Sequence, residues 1–481
     1  PPPPPPPPPP FFFLLILRPP RSTLDRSSAA SDVYKRQIEC CLKLESYFKN
    51  NADVEITLVS EDNFMLFTPM LPQVASGTIE TRHIVTPIRT LIKKSRFFEA
   101  KIKSIDPYGK TVTLYGTAEN RGIQLHYNFL VVALGSQTNF FGMKDVEKNS
   151  YTMKTLNDAV VLRNRIIDML EQAENETDPI LRKSLLRFVV VGGGFAGVET
   201  AGEINDFVND VSKYYPHITS EDVKVILVES SSEILMGFQR KLANFAKKKL
   251  VERGVQVFLG SGVTSFDGKE ILLKNMERSN KLFVADNKVE GYYDVKEVSS
   301  IQSSTMIWTA GVTPVDLIKY SLFKTNKGQI IVDEYLQVVD FPGVFAIGDC
   351  CQIDPKSTKK KFPSTAQIAE AYAKTAAYNL KELLANSEMK KFDYVWKGQS
   401  ALIGKRTGIA SFFGINIAGF WAFVAWRNLY LSKMRGWEKR LRVWIDWHLD
   451  LFFNRDISRL KILKKEPQID YKQLDEVDEV W

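Results

Sequence analysis

The most constraining stretch of this chain is ArgPheValValVal at 187–191, which runs straight into Gly192-Gly193-Gly194-Phe195-Ala196-Gly197 and then into a helical stretch from Val198 to about Val211. An apolar strand, a glycine turn and a helix in that order form the opening of a βαβ unit, whose two strands must lie parallel in a sheet covered by helices. Gly192 permits the tight turn, Gly194 lets backbone approach a pyrophosphate, and Gly197 lets helix pack closely on strand. The helix N-terminus adds unpaired N–H groups and the positive end of a dipole. The next strand, Val223–Val228, ends on Glu229. A carboxylate there accepts hydrogen bonds from ribose hydroxyls and repels a 2′-phosphate, which favours NADH over NADPH. Glu229 lies 32 residues past Gly197 rather than the usual ~20, and the polar stretch Asn209–Asp222 accounts for the excess as extended helix and loop. The bland alternative is a surface glutamate that binds nothing.

A second unit of the same kind is visible nearer the N-terminus. Val54–Val59 is a β-branched strand closing on Ser60-Glu61, and Ile38–Lys49 before it has helical character. Gln37-Ile38-Glu39 stands at the register of Gly197-Val198-Glu199. Ahead of it lie ten prolines, the apolar run Phe11–Leu17, and a Ser/Arg-rich stretch to Gln37 that reads like adaptor-derived sequence. Residues 1–37 are therefore expected to be non-native and disordered, with the first strand and its glycine loop missing; a genuine Pro-rich tail is the alternative.

Charge is segregated. The chain carries +8, yet residues 397–465 hold 14 Lys/Arg against 4 Asp/Glu, so the rest sums to −2. Four cysteines fall as Cys40-Cys41 and Cys350-Cys351 with no CxxC, which argues for a reducing compartment and against thiol redox chemistry or a metal site. No nucleic-acid motif accompanies the basic charge.

Further signatures follow in order: LeuPheThrProMetLeuProGlnValAlaSerGly at 66–77, ArgHisIleValThrProIleArg at 82–89, ValValAlaLeuGly at 131–135, TrpThrAlaGlyVal at 308–312, ValPheAlaIleGlyAsp at 344–349 and ThrAlaGlnIleAla at 365–369. In this order, from Ile38 to about Arg459, the chain resembles the type II NADH:quinone oxidoreductases, and its archaeal members most. The resemblance implies an α/β fold of two Rossmann-like dinucleotide-binding domains, glutathione-reductase-like, with a C-terminal amphipathic membrane-anchoring segment. The expected divisions are 1–37 outside the fold, 38–150 the first part of an FAD domain, 151–324 an NAD domain, 325–395 the second part of the FAD domain, and 396–481 a membrane-surface region.

The resemblance also implies roles. Gly348 and Asp349 would meet the flavin ribityl and phosphate region, Gly135 would close the FAD domain, Thr68 and Pro69 would lie along the isoalloxazine, and Ser60 or Glu61 would bind the adenosine ribose. Gly192, Gly194, Gly197, Glu229 and Gly311 would serve NADH. Ala366 and Gln367 would stand at the quinone side of the ring, with Gln367 alternatively a helix cap. Glu199 and Lys405 would tune proton delivery, with Lys405 alternatively a plain surface charge.

Phe412–Trp426 is apolar for only 15 residues and is broken by Gly414, Asn416 and Gly419, too short for a ~20-residue span. From Trp437 the apolar positions Trp437, Leu441, Trp444, Trp447 and Phe452 recur at helical spacing, with Lys439, Arg442, Asp446 and Asp450 on the other face. Six of the eight tryptophans lie between Trp396 and Trp447, a ring that favours headgroup layers. The expectation is a peripheral enzyme on the cytoplasmic face of the cell membrane, dimeric, using FAD and NADH to reduce a quinone without proton pumping; the aromatic face could instead pack on the protein's own core or on a second copy. A sulfide:quinone reductase would need cysteines over the flavin, and none lies between Cys41 and Cys350. A flavin-free scaffold binding NADH or lipid is the reading from another class.

Overall fold

The structure, a computed structural model, describes residues 11–16, 33–115, 122–275, 281–283, 285–286, 289–290, 293–294, 300–357, 362 and 365–459. Two parallel sheets organise it. In the first, β1 (Phe11–Ile16) lies at the centre, paired in parallel with β2 (Val54–Ser60) on one side and with Phe129–Val132 on the other. Arg96–Glu99 extends the sheet beyond β2, and Val344–Ala346 extends it beyond Phe129–Val132. The sequence therefore leaves the centre in both directions, which creates a topological switch point at β1, where ligands of open α/β sheets bind.

This corrects the expectation that the first strand is missing and, for residues 11–16 and 33–37, that they lie outside the fold; the remainder of 1–37 lies outside the described residues. A run of apolar residues suits the central strand of a parallel sheet, and Phe11–Ile16 takes that place by its pairing on both edges. Helix α1 spans Val33–Tyr47, so it starts before Ile38. The loop between β1 and α1 lies outside the described residues, and the sequence holds no glycine before Gly77.

The second sheet repeats the arrangement. β3 (Arg187–Val191) sits between β4 (Lys224–Val228) and Thr305–Trp308, all parallel, with Tyr151–Thr152 beyond one side and Gln256–Leu259 beyond the other. Helix α2 (Phe195–Val211) follows the glycine turn. An antiparallel pair, Ser136–Thr138 with Val312–Pro314, crosses between the units. Helix α3 (Ala366–Leu384) returns to the first unit, where Ala373, Ala376, Ala377 and Leu380 share one buried cluster with Ile38, Cys40, Cys41 and Leu44 of α1.

The C-terminal region begins with a three-stranded antiparallel sheet, Gly398–Gly404, Thr407–Phe412 and Ile415–Gly419, followed by helices α4 (Phe420–Lys433) and α5 (Trp437–Phe452). The sheet lies tightly on α2: a Cβ on Gly202 would stand 2.7 Å from the Ile403 carbonyl oxygen. The apolar run at 412–426 is thus a strand and a helix start, divided where Gly414 and Gly419 take positive φ. Among the described residues no helix is long and apolar enough to cross a membrane.

Helix α5 turns its acids to the body and most of its aromatic face outward, the orientation that the interfacial expectation requires. Asp446 and Asp450 face the body: Asp446 accepts from the His83 ring at 2.5 Å and from the Glu80 N–H at 3.2 Å, and Asp450 pairs with Arg455 at 3.1 Å. Val443 and Trp447 are buried beside them, with the Trp447 indole N–H donating to Gln73. Trp437 is 77 % exposed and Phe452 80 %, and Leu441, Trp444 and Leu449 also face outward. The reading that the aromatic face packs on the protein's own core thus holds for Trp447 and fails for the others.

Candidate active site

The glycine turn after β3 has the geometry its sequence requires. Gly192 has φ +108° and would place a Cβ 2.9 Å from the Ala310 backbone nitrogen. A Cβ on Gly197 would stand 1.8 Å from the Gly192 carbonyl oxygen and 2.6 Å from Thr309 Oγ1. Neither position accepts a side chain. Gly194 is different, since a Cβ there would meet nothing within 4 Å. It is the helix N-cap, so the space beside it is where the free N–H groups of α2 are presented, the place a pyrophosphate would occupy. The Thr309 hydroxyl donates to the Val191 and Gly192 carbonyls and fixes the turn to the neighbouring strand.

Glu229 ends β4 beside this turn. It accepts from the Gly193 N–H at 2.5 Å and from the Ser231 N–H at 2.7 Å, so its carboxylate is held over the loop. The long insertion between Gly197 and Glu229 is helix and turn, as the excess spacing requires. Gly311, φ +90°, lies in the strand-to-loop turn against the Phe141 ring.

Along α2 the side chains of Glu199, Glu203, Asp206 and Asp210 recur every three or four residues and so share one face. Glu199 accepts from the Leu402 N–H at 3.0 Å. Burial pushes its carboxyl up to about 8, against the opposing pull of that bond and of the Trp426 indole. Glu203 is buried and also raised by desolvation, with Arg455 opposing; Ser76 donates to it at 2.7 Å. Asp206 pairs with Arg253 and accepts from the Lys405 N–H at 2.5 Å, while Lys405 Nζ reaches Asp210 at 3.4 Å. Lys405 is thus an ion-paired residue at the far end of the row from Glu199. Arg455 is the buried cation of the cluster, 3.6 Å from Glu203 and 3.7 Å from Asp210.

In the first unit, Gly348 (φ +84°) and the buried Asp349 form a single helical turn after the edge strand. Ser136 donates to Asp349 at 3.0 Å, and the buried Lys154 ammonium donates to the Ser136 carbonyl. Gly135 has φ +67° directly before Ser136. Ser60 closes β2, fully buried, and its hydroxyl has no partner among the described residues. Thr68 and Pro69 begin a short helical turn in the core. Gln367 lies in the first turn of α3 but does not cap it: its amide donates to the Gly398 carbonyl at 2.7 Å and its oxygen accepts from Tyr394 at 2.8 Å. Ala366 is the first residue of α3. All four cysteines are buried thiols, with Cys41 pushed up to about 12 by desolvation, so none is placed for thiolate chemistry.

Sequence reasoning missed Glu203, Arg455, Lys154 and Trp426. The i, i+4 repeat of acids on α2 was readable, but an isolated arginine after α5 and a lysine in a loop carry no local pattern.

Two parallel units with switch points, one bearing a dinucleotide loop and the other a buried Gly-Asp turn, define a two-dinucleotide oxidoreductase. The pyridine nucleotide-disulphide oxidoreductase family matches residues 39–373 and the NDH2 C-terminal domain matches 396–456, and the chain belongs to that family in its type II NADH:quinone oxidoreductase branch. It is 33 % identical over 417 residues to a probable NADH dehydrogenase of Dictyostelium discoideum, covering 85 % of this chain and 87 % of the relative. It is 30 % identical over 472 residues to an external alternative NADH-ubiquinone oxidoreductase, mitochondrial, of Yarrowia lipolytica, covering 85 % and 77 %. Its fold is similar to that of NDH2 from Plasmodium falciparum in complex with NADH, with a TM-score of 0.77 at 21 % identity over 93 % of this chain and 99 % of that one.

FAD and NADH are the cofactors of this branch. The residues around Gly194 and Glu229 fit NADH. The first unit fits FAD at its ribityl and adenosine ends, where the Gly348-Asp349 turn and the unpartnered Ser60 hydroxyl stand at the switch point. No described residue supplies a glycine cradle for its pyrophosphate.

Proposed function

We infer that the chain is an NADH:quinone oxidoreductase that works on a membrane surface. The observation that carries this is the pairing of the Gly192–Gly197 loop and Glu229 with a family match that continues through the NDH2 C-terminal domain. FAD, held by the first unit, would supply the two-electron redox chemistry that links NADH to the quinone.

The chain's own residues prepare that exchange. The α2 N-terminus holds the NADH pyrophosphate, and Glu229 accepts from the ribose while repelling a 2′-phosphate. Glu199, raised to about 8, holds a proton at neutral pH and can release it where quinone reduction consumes protons. Gln367, anchored by Tyr394 and Gly398, keeps one amide N–H for a quinone carbonyl. Ser60, Thr68, Pro69, Gly135, Gly348 and Asp349 hold FAD. Lys405 acts through its pairing with Asp210 rather than by touching the ring.

The outward aromatic face of α5, Trp421 at 71 % exposure on α4, and the basic excess of residues 397–465 support monotopic attachment to the membrane's cytoplasmic face. Each Lys/Arg near an anionic leaflet contributes about 1 kcal/mol. A homodimer in which these helices share the membrane surface belongs to the same reading.

The test is the visible spectrum of the purified protein with NADH-dependent reduction of a short-chain quinone, beside a variant carrying GlyGlyGlyPheAlaGly within residues 17–32. Flavin bands and quinone reduction in either protein support the assignment, and flavin confined to the variant would place the pyrophosphate contact in that loop. Absence of flavin and of activity from both would overturn it in favour of a scaffold.

A further inference from the structure

Helices α4 and α5 flank an open cavity of about 420 Å³, walled by Phe420, Phe423, Trp444 and Trp447 and entered by two guanidinium groups, Arg427 and Arg406. An aromatic wall alone would describe any apolar groove. The arginines do not fit that description.

Arg427 stacks on the Phe423 ring at 4.3 Å and on Trp447 at 4.7 Å, and its buried Nε has no hydrogen-bond partner. Among the described residues neither Arg427 nor Arg406 has a carboxylate within 4.0 Å. The acids that act on Arg427 from farther away, Asp450 and Glu203, are already bound to Arg455. Burial pulls the Arg427 guanidinium down to about 10, the mark of a charge without a sufficient counter-charge. Cation–π contacts return about 0.5–2 kcal/mol, whereas a desolvated unpaired ion costs several kcal/mol. Arg406 sits in the two-residue turn between the strands Gly398–Gly404 and Thr407–Phe412 with φ +58°, a left-handed backbone that a non-glycine residue adopts at a cost of about 1 kcal/mol or more. The desolvated Arg427, its Nε unpartnered, and the exposed Arg406 line one space, and together they suit an anion with several oxygens, which they can grip by paired N–H donors.

The surroundings specify what carries that anion. Apart from Asn428, the rest of the wall is aromatic and aliphatic, and the same two helices carry the outward residues Trp421, Trp444 and Phe452. An oxyanion with hydrocarbon attached satisfies both halves; a neutral quinone ring would leave both charges unpaired. We propose that the α4–α5 cavity binds an anionic membrane phospholipid, its phosphate between Arg427 and Arg406 and its acyl chain along the aromatic wall, a reading that rests on attachment of this face to a membrane. Such a site makes attachment selective for lipid charge and fixes α5 relative to the body.

The experiment titrates the flavin-loaded full chain with dihexanoylphosphatidylglycerol below its micelle concentration and follows the intrinsic tryptophan fluorescence, to which Trp444 and Trp447 of the cavity wall contribute. Saturable binding is expected, at least tenfold weaker in Arg427→Gln and several-fold weaker in Arg406→Gln, with inorganic phosphate and dihexanoylphosphatidylcholine binding at least tenfold less well than the lipid anion. Arg406 is exposed, so its variant keeps the test open should Arg427→Gln fold poorly. Equal affinity in both variants, equal affinity for phosphatidylcholine or inorganic phosphate, or displacement of the lipid by a short-chain quinone overturns the proposal. NADH oxidation with a water-soluble acceptor, measured in parallel, reports on the oxidoreductase reading separately.

Discussion

Glu199→Gln should stabilise the protein, and the gain should depend on pH. Glutamine keeps the shape of the protonated acid and its oxygen can still accept from Leu402 N–H, but it cannot ionise. In the wild-type protein the carboxyl is raised from 4.5 to about 8. Below pH 4.5 folded and unfolded chains both hold the proton, and burial of Glu199 exacts no electrostatic cost. Between about 4.5 and 8 the unfolded chain releases the proton while the folded chain retains it, so stability falls with rising pH until the folded group also ionises. A tenfold change in a proton-binding constant corresponds to about 1.4 kcal/mol, which makes the full loss about 5 kcal/mol as an upper bound and about 2 kcal/mol if water and side chains relax around the carboxylate. At about 1 °C per kcal/mol for a chain of this size, from an unfolding entropy of about 2 cal/mol/K per residue, Glu199→Gln should melt within about a degree of wild type at pH 5 and about 2–5 °C above it at pH 8.5. Parallel thermal unfolding of the two proteins at five pH values measures this. A difference that stays constant with pH, or that favours the wild type at pH 8.5, would refute the assignment of a buried, proton-holding Glu199.

Other expectations follow from the same geometry. Gly194→Ala should fold with a melting temperature within about 1 °C of wild type, since its Cβ meets nothing, yet bind NADH at least tenfold more weakly; Gly197→Ala, with a 1.8 Å overlap, should lose stability as well, both read by NADH fluorescence titration and thermal unfolding. Glu229→Gln should narrow the preference for NADH over NADPH about tenfold in kcat/KM by removing the charge that repels a 2′-phosphate, and an unchanged ratio would place ribose recognition elsewhere. Arg455→Met should cost about 3–5 kcal/mol in denaturant unfolding near neutral pH, because it strands Glu203 and Asp450 without a cation, and the cost should shrink as pH falls and the buried Glu203 takes up a proton. Replacing Trp421, Trp437 and Phe452 with serine should release the protein from vesicles while leaving NADH binding within twofold of wild type.

Much of the fold was legible because its constraints are local. The glycine turn forces a strand before it and a helix after it, and Gly192 and Gly197 prove to have no room for a side chain. The acid at the end of the following strand sits over the loop as its position required. Pairing across long separations was not legible. Phe11–Ile16 has no alternation and no glycine after it, and only its parallel register with Val54–Val59 and Phe129–Val132 identifies it as a central strand. The sidedness of α5 escapes the sequence for a related reason: helical spacing divides residues between two faces but does not say which face meets the protein. Polar contacts of Asp446 and Asp450 with the body decide it, and their partners His83 and Arg455 lie far away or beyond the helix.

That orientation of α5 ties the nucleotide site to the outer surface. Helix α2 begins at the dinucleotide loop and, at about 1.5 Å per residue, carries its row of acids from roughly 6 Å to roughly 23 Å away from it. The first acid, Glu199, is held by the backbone of the C-terminal sheet, and the later ones are held by Arg253, Lys405 and Arg455. Arg455 in turn grips Asp450 of α5, whose opposite face is the aromatic one. A single chain of buried charge contacts therefore runs from the helix that receives NADH to the helix that would lie on lipid. If Arg455 is the link, Arg455→Met should loosen α5 and raise hydrogen exchange across 437–452 while leaving the exchange of β3 and the glycine turn unchanged. Exchange that rises equally in both places would mean that the arginine supports the whole fold rather than joining these two parts of it.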